Sequence, residues 1–495
     1  MSETAVASSS DPVSVPPRDF RPIALIIASA LFMEQLDATV LTTALPTMAR
    51  TFGVAPLHMS LALTSYLLSL AIFIPISGRI ADRFGARLVF RSAIGVFLAG
   101  SILCGVSQGL AFLVVSRIVQ GLGGAMMMPV GRLVLLRTVP KKDLVSAMTW
   151  LLVPSLIGPV LGPMAGGFIV TYLSWRWIFY INIPMGILGI YMAGRYMEEV
   201  KGTPKPMDFI GFTLSGLSLS CLMFGLEMSS RSMASGWVTA LLFTVGLAGG
   251  GLYLIHAKRH PHPVLELNLV KIPTFGLSVL AGSLTRVSAG ALPFLLPLMM
   301  QLGFGMSAVH SGMITFASAA GSMLMKAGAA PVLRRFGFRN TMIWNGLIAS
   351  LFIASCALFR PGTPIWIIYA VLLSGGFFQS LQFTAYNTVA YADMPQERMS
   401  SAISFYTTFQ QLMLSVGICF SATVLHVSST LLGHAQLMLS DFSSAFLVIS
   451  GVSIWASLIC MKFSPDAGHD MSGYRLRMEA KPLARDKRKK SAAGV

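Results

Sequence analysis

The sequence predicts an all-α polytopic membrane protein of about fourteen spanning helices. Three observations carry that prediction. Hydrophobic residues fill 54% of 495 positions and charged residues only 11%, with a mean hydropathy of +0.72, too apolar for a soluble globular domain. Apolar runs of about twenty residues recur along the chain, bounded by charges or Gly/Pro clusters. Basic residues gather in alternate turns between those runs, a topology signal.

The runs lie near 22–44, 59–80, 88–108, 109–137, 143–171, 177–197, 208–228, 236–256, 274–300, 305–327, 339–360, 364–390, 399–427 and 442–463. One set of turns carries Arg79, Arg83, Arg87 and Arg91; Arg132, Arg137, Lys141 and Lys142; Arg195, Lys201 and Lys205; Lys258, Arg259 and Lys271; Lys326, Arg334, Arg335 and Arg339; and Arg398, with Arg18 and Arg21 before the first run. Only Arg50, Arg176, Arg231 and Arg360 stand opposite. That asymmetry places both termini in the cytoplasm and requires an even number of spans.

A net charge of +17 would suggest nucleic acid in a soluble domain. Here the charge belongs to short loops, and no recognition motif accompanies it. Cys104, Cys221, Cys356, Cys419 and Cys460 each sit alone in an apolar run, so they form neither a disulfide framework nor a metal-ligand pair. Residues 1–20 are Ser/Pro-rich without an apolar core, which leaves the first span as the insertion signal.

The chain repeats weakly. Arg83-Phe84-Gly85-Ala86-Arg87 follows the second run and Arg335-Phe336-Gly337-Phe338-Arg339 follows the tenth. Two similar halves in parallel orientation are a transporter architecture. The chain accordingly divides into a disordered cytoplasmic N-terminus (1–20), a six-helix bundle (21–200), two inserted helices with a cytoplasmic linker (201–270), a second six-helix bundle (271–464) and a basic cytoplasmic tail (465–495). Lys481 to Lys490 in that tail suit anionic lipid, with regulatory binding as the other reading.

The stretch Leu31 to Pro46 places Glu34 and Asp37 on one face of a helix within an apolar run. An ionised side chain there costs roughly 2.5–3.5 kcal/mol and marks a pathway by default. Counted from span ends, Asp37 and Arg117 reach similar depths and can pair. Asp37 is then a proton-titrating acid with Arg117 as its switchable partner, or the two form a permanent structural ion pair. Glu34 and Arg286 also share a depth. They are a second proton or cation site and an anion contact, or a salt bridge between bundles.

Two buried charges of each sign leave cations, zwitterions and anions open as substrates. Gln379, Gln382, Tyr386, Asn387, Gln410 and Gln411 line a substrate path or hydrogen-bond between helices. The 30 Met and 31 Phe suit an adaptable apolar pocket, although most are packing or lipid-facing residues. Asp82 can oppose the positive end of a neighbouring helix and latch the cytoplasmic side. Gly158, Pro159, Gly162, Pro163, Gly166 and Gly167 permit close packing and a bend. His256, His260 and His262 cluster in one loop, but no acidic partner is visible and no metal site is expected.

Several motifs meet a family at this point. Gly78-Arg79-Ile80-Ala81-Asp82-Arg83-Phe84-Gly85-Ala86-Arg87 resembles the cytoplasmic loop signature Gly-x-Leu-Ala-Asp-Arg-x-Gly-Arg-Lys of the major facilitator superfamily. Arg117-Ile-Val-Gln120-Gly121-Leu-Gly123-Gly124-Ala125 is similar to its fourth-span motif. The Gly158 to Gly167 run is similar to its fifth-span antiporter motif. Leu36-Asp37-Ala-Thr39 to Ala44-Leu45-Pro46 and Trp175-Arg176-Trp177 to Asn182-Ile-Pro184 resemble signatures of the fourteen-span drug/proton antiporters. Ala86 replaces a usual basic residue, and Arg334 stands where the second loop copy usually has Asp.

The resemblance implies a latch in the first loop, residues Gly78, Asp82, Arg83, Gly85 and Arg87, and a leak-blocking role for the fifth-span motif. The expected activity is efflux of small amphipathic compounds or drugs across a bacterial inner membrane, driven by protons, without a cofactor. Partners are the substrate, protons and the lipid bilayer, for a monomer with accessory efflux proteins possible. No enzymatic constellation and no Gly-x-x-x-x-Gly-Lys loop is present. A dedicated exporter of a metabolite, siderophore or metal-organic acid complex is the narrower alternative; a membrane sensor or scaffold is the alternative of another class.

Overall fold

A computed structural model describes residues 20–139, 143–202, 206–229, 236–395, 398–434 and 436–472. The N-terminal stretch through residue 19, Lys141, Lys142, Lys205, Arg231 and the basic run Lys481 to Lys490 lie outside the described residues. All regular structure among the described residues is helical. The first part of the chain forms α1 (Arg21–Phe52), α2 (Ser60–Phe84), α3 (Ala86–Gly105), α4 (Leu110–Thr138), α5 (Leu144–Ser155), α6 (Ile157–Tyr172), α7 (Trp177–Tyr180) and α8 (Asn182–Tyr196). A pair follows, α9 (Phe209–Ser229) and α10 (Gly236–Arg259). The rest comprises α11 (Pro273–Leu298), α12 (Ala308–Phe336), α13 (Phe338–Ser355), α14 (Ile365–Val389), α15 (Met399–Leu431), α16 (Leu439–Ile459) and the short α17 (His469–Ser472).

Among the described residues, twelve helical segments are long and apolar enough to cross a membrane. The 29-residue α12 and the α5–α6 pair are outside that twelve. The sequence suggests one continuous span at 143–171; the chain instead breaks at Leu156, between Pro154 and the Gly158-Pro159 pair. Proline lacks the donor that a continuous ladder needs.

A second correction concerns α1, whose span was expected to end near residue 44, just before Pro46. The helix carries Pro46 in its interior and runs on to Gly53, which takes φ +65° and closes its N–H on the carbonyls of Ala49 and Arg50. Buried Pro46 is covered by neighbouring helices, which lets a membrane helix tolerate the missing bond. Asp37 therefore lies near the middle of α1, roughly 22 Å from either end at 1.5 Å per residue.

The internal echo has a conformational basis. Gly85 joins α2 to α3 with φ +99°, and Gly337 joins α12 to α13 with φ +74°. Both turns need a residue without Cβ.

The first and second halves meet where α2 packs along α15, α6 against α12 and α1 against α11. Opposite the basic loops one apolar core crosses both halves, joining Leu41, Leu45 and Met48 to Phe294, Leu298 and Met300. Gln301 Nε2 also donates to the Thr43 carbonyl there, at 3.0 Å. Toward the basic loops, one core belongs to the first half alone and another to the second. On this side α5 packs on α1, α4 and α6, while α14 packs on α11, α12 and α13. The halves thus share a core at the far end, while toward the basic end each keeps a core of its own and they meet along the α2–α15 seam.

Helices α9 and α10 pack on each other and lean on that seam through α9. Only 22% and 17% of their most apolar windows are buried, against 72% for α2. They are peripheral to the two bundles.

Candidate functional site

Asp37 is the hub of a network drawn from five helices. Its Oδ2 accepts from Arg117 Nη1 at 2.6 Å, and its Oδ1 accepts from Gln120 Nε2 and Asn182 Nδ2, both at 2.9 Å. Arg117 also donates to Gln120 Oε1 at 2.5 Å and, through Nε, to the Ala62 carbonyl at 3.1 Å. Its guanidinium lies 4.3 Å from the centroid of the Tyr66 ring. Ser101 Oγ takes further bonds from Gln120 and Asn182 at 2.8 and 3.3 Å.

Asp37 is 1% exposed, and Arg117, Gln120, Asn182 and Ser101 are fully buried. Burial of this depth forces the two charges to satisfy each other, because neither has water. Arg117 Nη2 nevertheless keeps no hydrogen-bond partner.

Sequence reasoning quoted Gln120 and Asn182 inside motifs without giving them a task, and it missed Ser101. Gln120 was findable, since it lies three residues from Arg117 on the same helical face. Asn182 and Ser101 required knowing which helices surround α1.

Glu34 sits one turn from Asp37 on α1. It is 9% exposed, and its Oε2 has no hydrogen-bond partner. Arg286 does not meet it. Arg286 Nη2 donates to Asn387 Oδ1 at 2.8 Å and Nη1 to the Gly282 carbonyl at 3.1 Å. Its guanidinium stands 5.0 Å and 5.4 Å from the ring centroids of Tyr406 and Phe383. These partners all come from the second half, so the suggested salt bridge between bundles is not formed. Gln410 Nε2 donates to the same Asn387 oxygen at 2.7 Å.

Gln382 and Tyr386 are placed differently from the suggested substrate path. Gln382 donates to the Met342 carbonyl at 2.9 Å and accepts from Asn345 at 2.8 Å, while the Tyr386 hydroxyl contacts Cys460 Sγ at 3.0 Å. They tie α13, α14 and α16 together, and at 1% and 0% exposure they are enclosed within the second half. Gln379 Nε2 is buried without a partner.

The glycines of α6 form a track for α1. A Cβ at Gly158 would lie 2.9 Å from the Phe32 carbonyl oxygen; one at Gly162 would strike Thr39, and one at Gly166 would strike Thr43. Gly167 faces α12 instead, against Ala308 and Val309. Pro163 lies in α6 beside this track, and its carbonyl approaches Gly312 of α12; Pro159 opens the same helix one turn earlier. The run thus packs α6 on the helix that carries both acids and on the other half.

Asp82 pairs with Arg137 in the last turn of α4 at 2.7 Å, within its own half, a charge-assisted contact. Arg87 pairs with Glu199 at 3.7 Å, Arg83 lies over the Phe84 ring, and the Arg79 side chain donates to the Pro263 carbonyl at 2.9 Å. Gly78 precedes this set, and a Cβ there would meet nothing within 4 Å. The Asp82–Arg137 pair is partly solvated, so Asp82→Asn should cost less than about 1 kcal/mol in thermal unfolding. A transport loss far beyond that would mark a role in the cycle.

Among the buried acids that escaped the sequence reading, Glu227 of α9, 2% exposed, accepts from Ser60 and Thr64 of α2 at 3.2 and 3.0 Å.

A fully buried ion pair among long apolar helices is the kind of site a membrane transporter uses. Residues 27–418 match the Major Facilitator Superfamily, and the chain belongs to that superfamily. It is 37% identical over 432 residues to "Probable transport protein HsrA" of Haemophilus influenzae, covering 87% of this chain and 93% of that protein. It is 38% identical over 403 residues to "Putative multidrug resistance protein MdtD" of Salmonella heidelberg, covering 81% and 85%.

Among solved structures, an auto-inhibited POT family peptide transporter superposes with a TM-score of 0.66 at 15% identity, over 90% of this chain and 97% of that one. The human organic anion transporter MFSD10 gives 0.59 at 13% identity, over 90% and 100%. At such identities these two speak for the fold alone. The chain is a secondary transporter of small molecules across a membrane and not an enzyme.

Proposed function

We propose that the chain is a proton-coupled antiporter that expels small amphipathic compounds across a bacterial inner membrane. The carrying observation is the Asp37–Arg117 pair, fully desolvated and cross-linked by Gln120 and Asn182. Protonating Asp37 removes the anion that holds Arg117, and the changed charge balance biases the two access states. The kinship with MdtD supports the drug-efflux reading. In this reading the α5–α6 pair and α12 complete fourteen spans, and both termini and the basic loops face the cytoplasm. The basic end, where each half keeps a core of its own, is then the side that opens toward the cytoplasm to admit substrate.

Glu34 and Arg286 set the substrate chemistry. Glu34 offers an unpartnered oxygen to a proton or an ammonium, and Arg286, held by neutral partners, offers a guanidinium to an anionic group. The test uses purified protein in liposomes containing a pH-sensitive dye, with a panel of cationic, zwitterionic and anionic amphiphiles. Several unrelated compounds should each trigger proton movement, and Arg286→Ala should reduce the response to anions and zwitterions about tenfold or more while sparing cations. A response to one chemical class alone would instead identify a dedicated exporter. Silence from folded protein would overturn transport by proton exchange.

A further inference from the structure

The histidines at the foot of α10 meet an acid that the sequence hides. Asp208 immediately precedes α9, His256 is in the last turn of α10, and His260 follows one turn later. His256 Nε2 lies 2.7 Å from Asp208 Oδ1, and the two imidazole rings stack with centroids 5.1 Å apart. One ligand atom from each of the three residues falls within 4.8 Å of the others. Asp208 is 3% exposed, while both histidines are partly open to solvent.

The carboxylate is already oriented, with Gly211 N–H donating to Oδ1 at 2.8 Å and Val264 N–H to Oδ2 at 3.3 Å.

We propose that Asp208, His256 and His260 bind a divalent transition metal ion of the Zn²⁺ class. Two imidazoles spaced four residues apart share one face, and with one carboxylate they supply three of the four ligands that Zn²⁺ takes, leaving a solvent-facing position for water. Backbone donors to the carboxylate are the outer shell that such sites use to fix a ligand. Arg79 faces the same carboxylate, and its charge works against any ion. That repulsion acts on all divalent ions alike, so selection rests on the two imidazoles, which suit Zn²⁺ and not hard cations such as Mg²⁺.

Binding has a local consequence. His260 Nδ1, now 3.2 Å from the His262 N–H, must release that contact whichever ring nitrogen takes the metal. The ion would join the start of α9, the end of α10 and the linker at Val264. Arg79, near the end of α2, already grips that linker at His262 and Pro263. A metal there stiffens the connection between the first loop and the second half, independently of which substrate is carried.

The test is a Zn²⁺ titration of the full chain in detergent, after removal of any purification tag, followed calorimetrically, with Co²⁺ absorption as a second probe. One equivalent of Zn²⁺ should bind, millimolar Mg²⁺ should not compete, and His256→Gln and His260→Gln should each weaken binding about tenfold or more. His262→Gln should leave it unchanged. His256→Gln keeps an N–H that can donate to Asp208, and His260 is partly exposed, so both metal-free variants should stay folded. No Zn²⁺ bound by folded wild type, or binding indifferent to both His256→Gln and His260→Gln, would overturn the site.

Discussion

Asp37→Asn is expected to abolish uphill transport while leaving substrate exchange in place. With 100 mV and one pH unit across the membrane, one proton supplies about 3.7 kcal/mol, enough for roughly a 500-fold gradient of a neutral solute. The variant should let that gradient collapse to about 1, because Asn cannot take up and release the proton that links the two flows. It keeps an Oδ1 for Gln120 and Asn182, and so imitates the protonated acid in shape. Counterflow of labelled substrate between equal concentrations therefore measures what remains.

The competing view, a permanent strut between α1 and α4, predicts a different result. Removing one member of a buried ion pair strands the other charge and costs about 3–5 kcal/mol. A strut would therefore show itself as loss of folded protein in Asp37→Asn, with recovery of both fold and uphill transport when Arg117→Gln is added. A coupling acid gives a folded single variant, since the cycle itself must pass through neutral Asp37, and a double variant that still cannot accumulate substrate. Full uphill transport by Asp37→Asn would remove Asp37 from the coupling path.

The pair at Asp37 and Arg117 was legible because charge inside an apolar run is costly and both residues lie well inside their runs at similar depth. The reading survived a misplaced helix end: α1 continues two turns past Pro46, and those turns project beyond the start of α4. The supporting shell was not legible. Asn182 and Ser101 are ordinary polar residues in sequence, and only the convergence of α3, α4 and α8 on α1 gives them a partner. The same reason hid Asp208, which stands 48 residues from His256. Depth counting also brought Glu34 and Arg286 together wrongly, since equal depth says nothing of which way two helices turn their faces. Local chemistry was readable, whereas any contact between distant helices needed the packing.

That packing carries the second large effect, at the far end where the halves touch. Gly167 of α6 lies against Ala308 and Val309 of α12; a Cβ there would stand 3.0 Å from the Val309 Cα and closer still to the Ala308 carbonyl. Backbone cannot swing aside as a side chain can, so Gly167→Leu must push α6 and α12 apart. Overpacking of this kind costs about 1–3 kcal/mol. The cost falls on the state in which the far end is closed, and a difference of that size shifts a two-state equilibrium about 5- to 150-fold.

Met48, fully buried in the core that seals this end, supplies the readout. In a chain whose five native cysteines are replaced, Met48→Cys should be nearly inert to a membrane-impermeant maleimide added from the far side. Adding Gly167→Leu should raise its labelling rate about tenfold and slow the transport cycle, because the closed far end is then the less populated state. Gly167→Ala should fall between the two. Unchanged labelling together with undiminished transport in Gly167→Leu would show that the far-end contact between α6 and α12 is not the seal, and would move that role to the α1–α11 contact at Thr43 and Gln301.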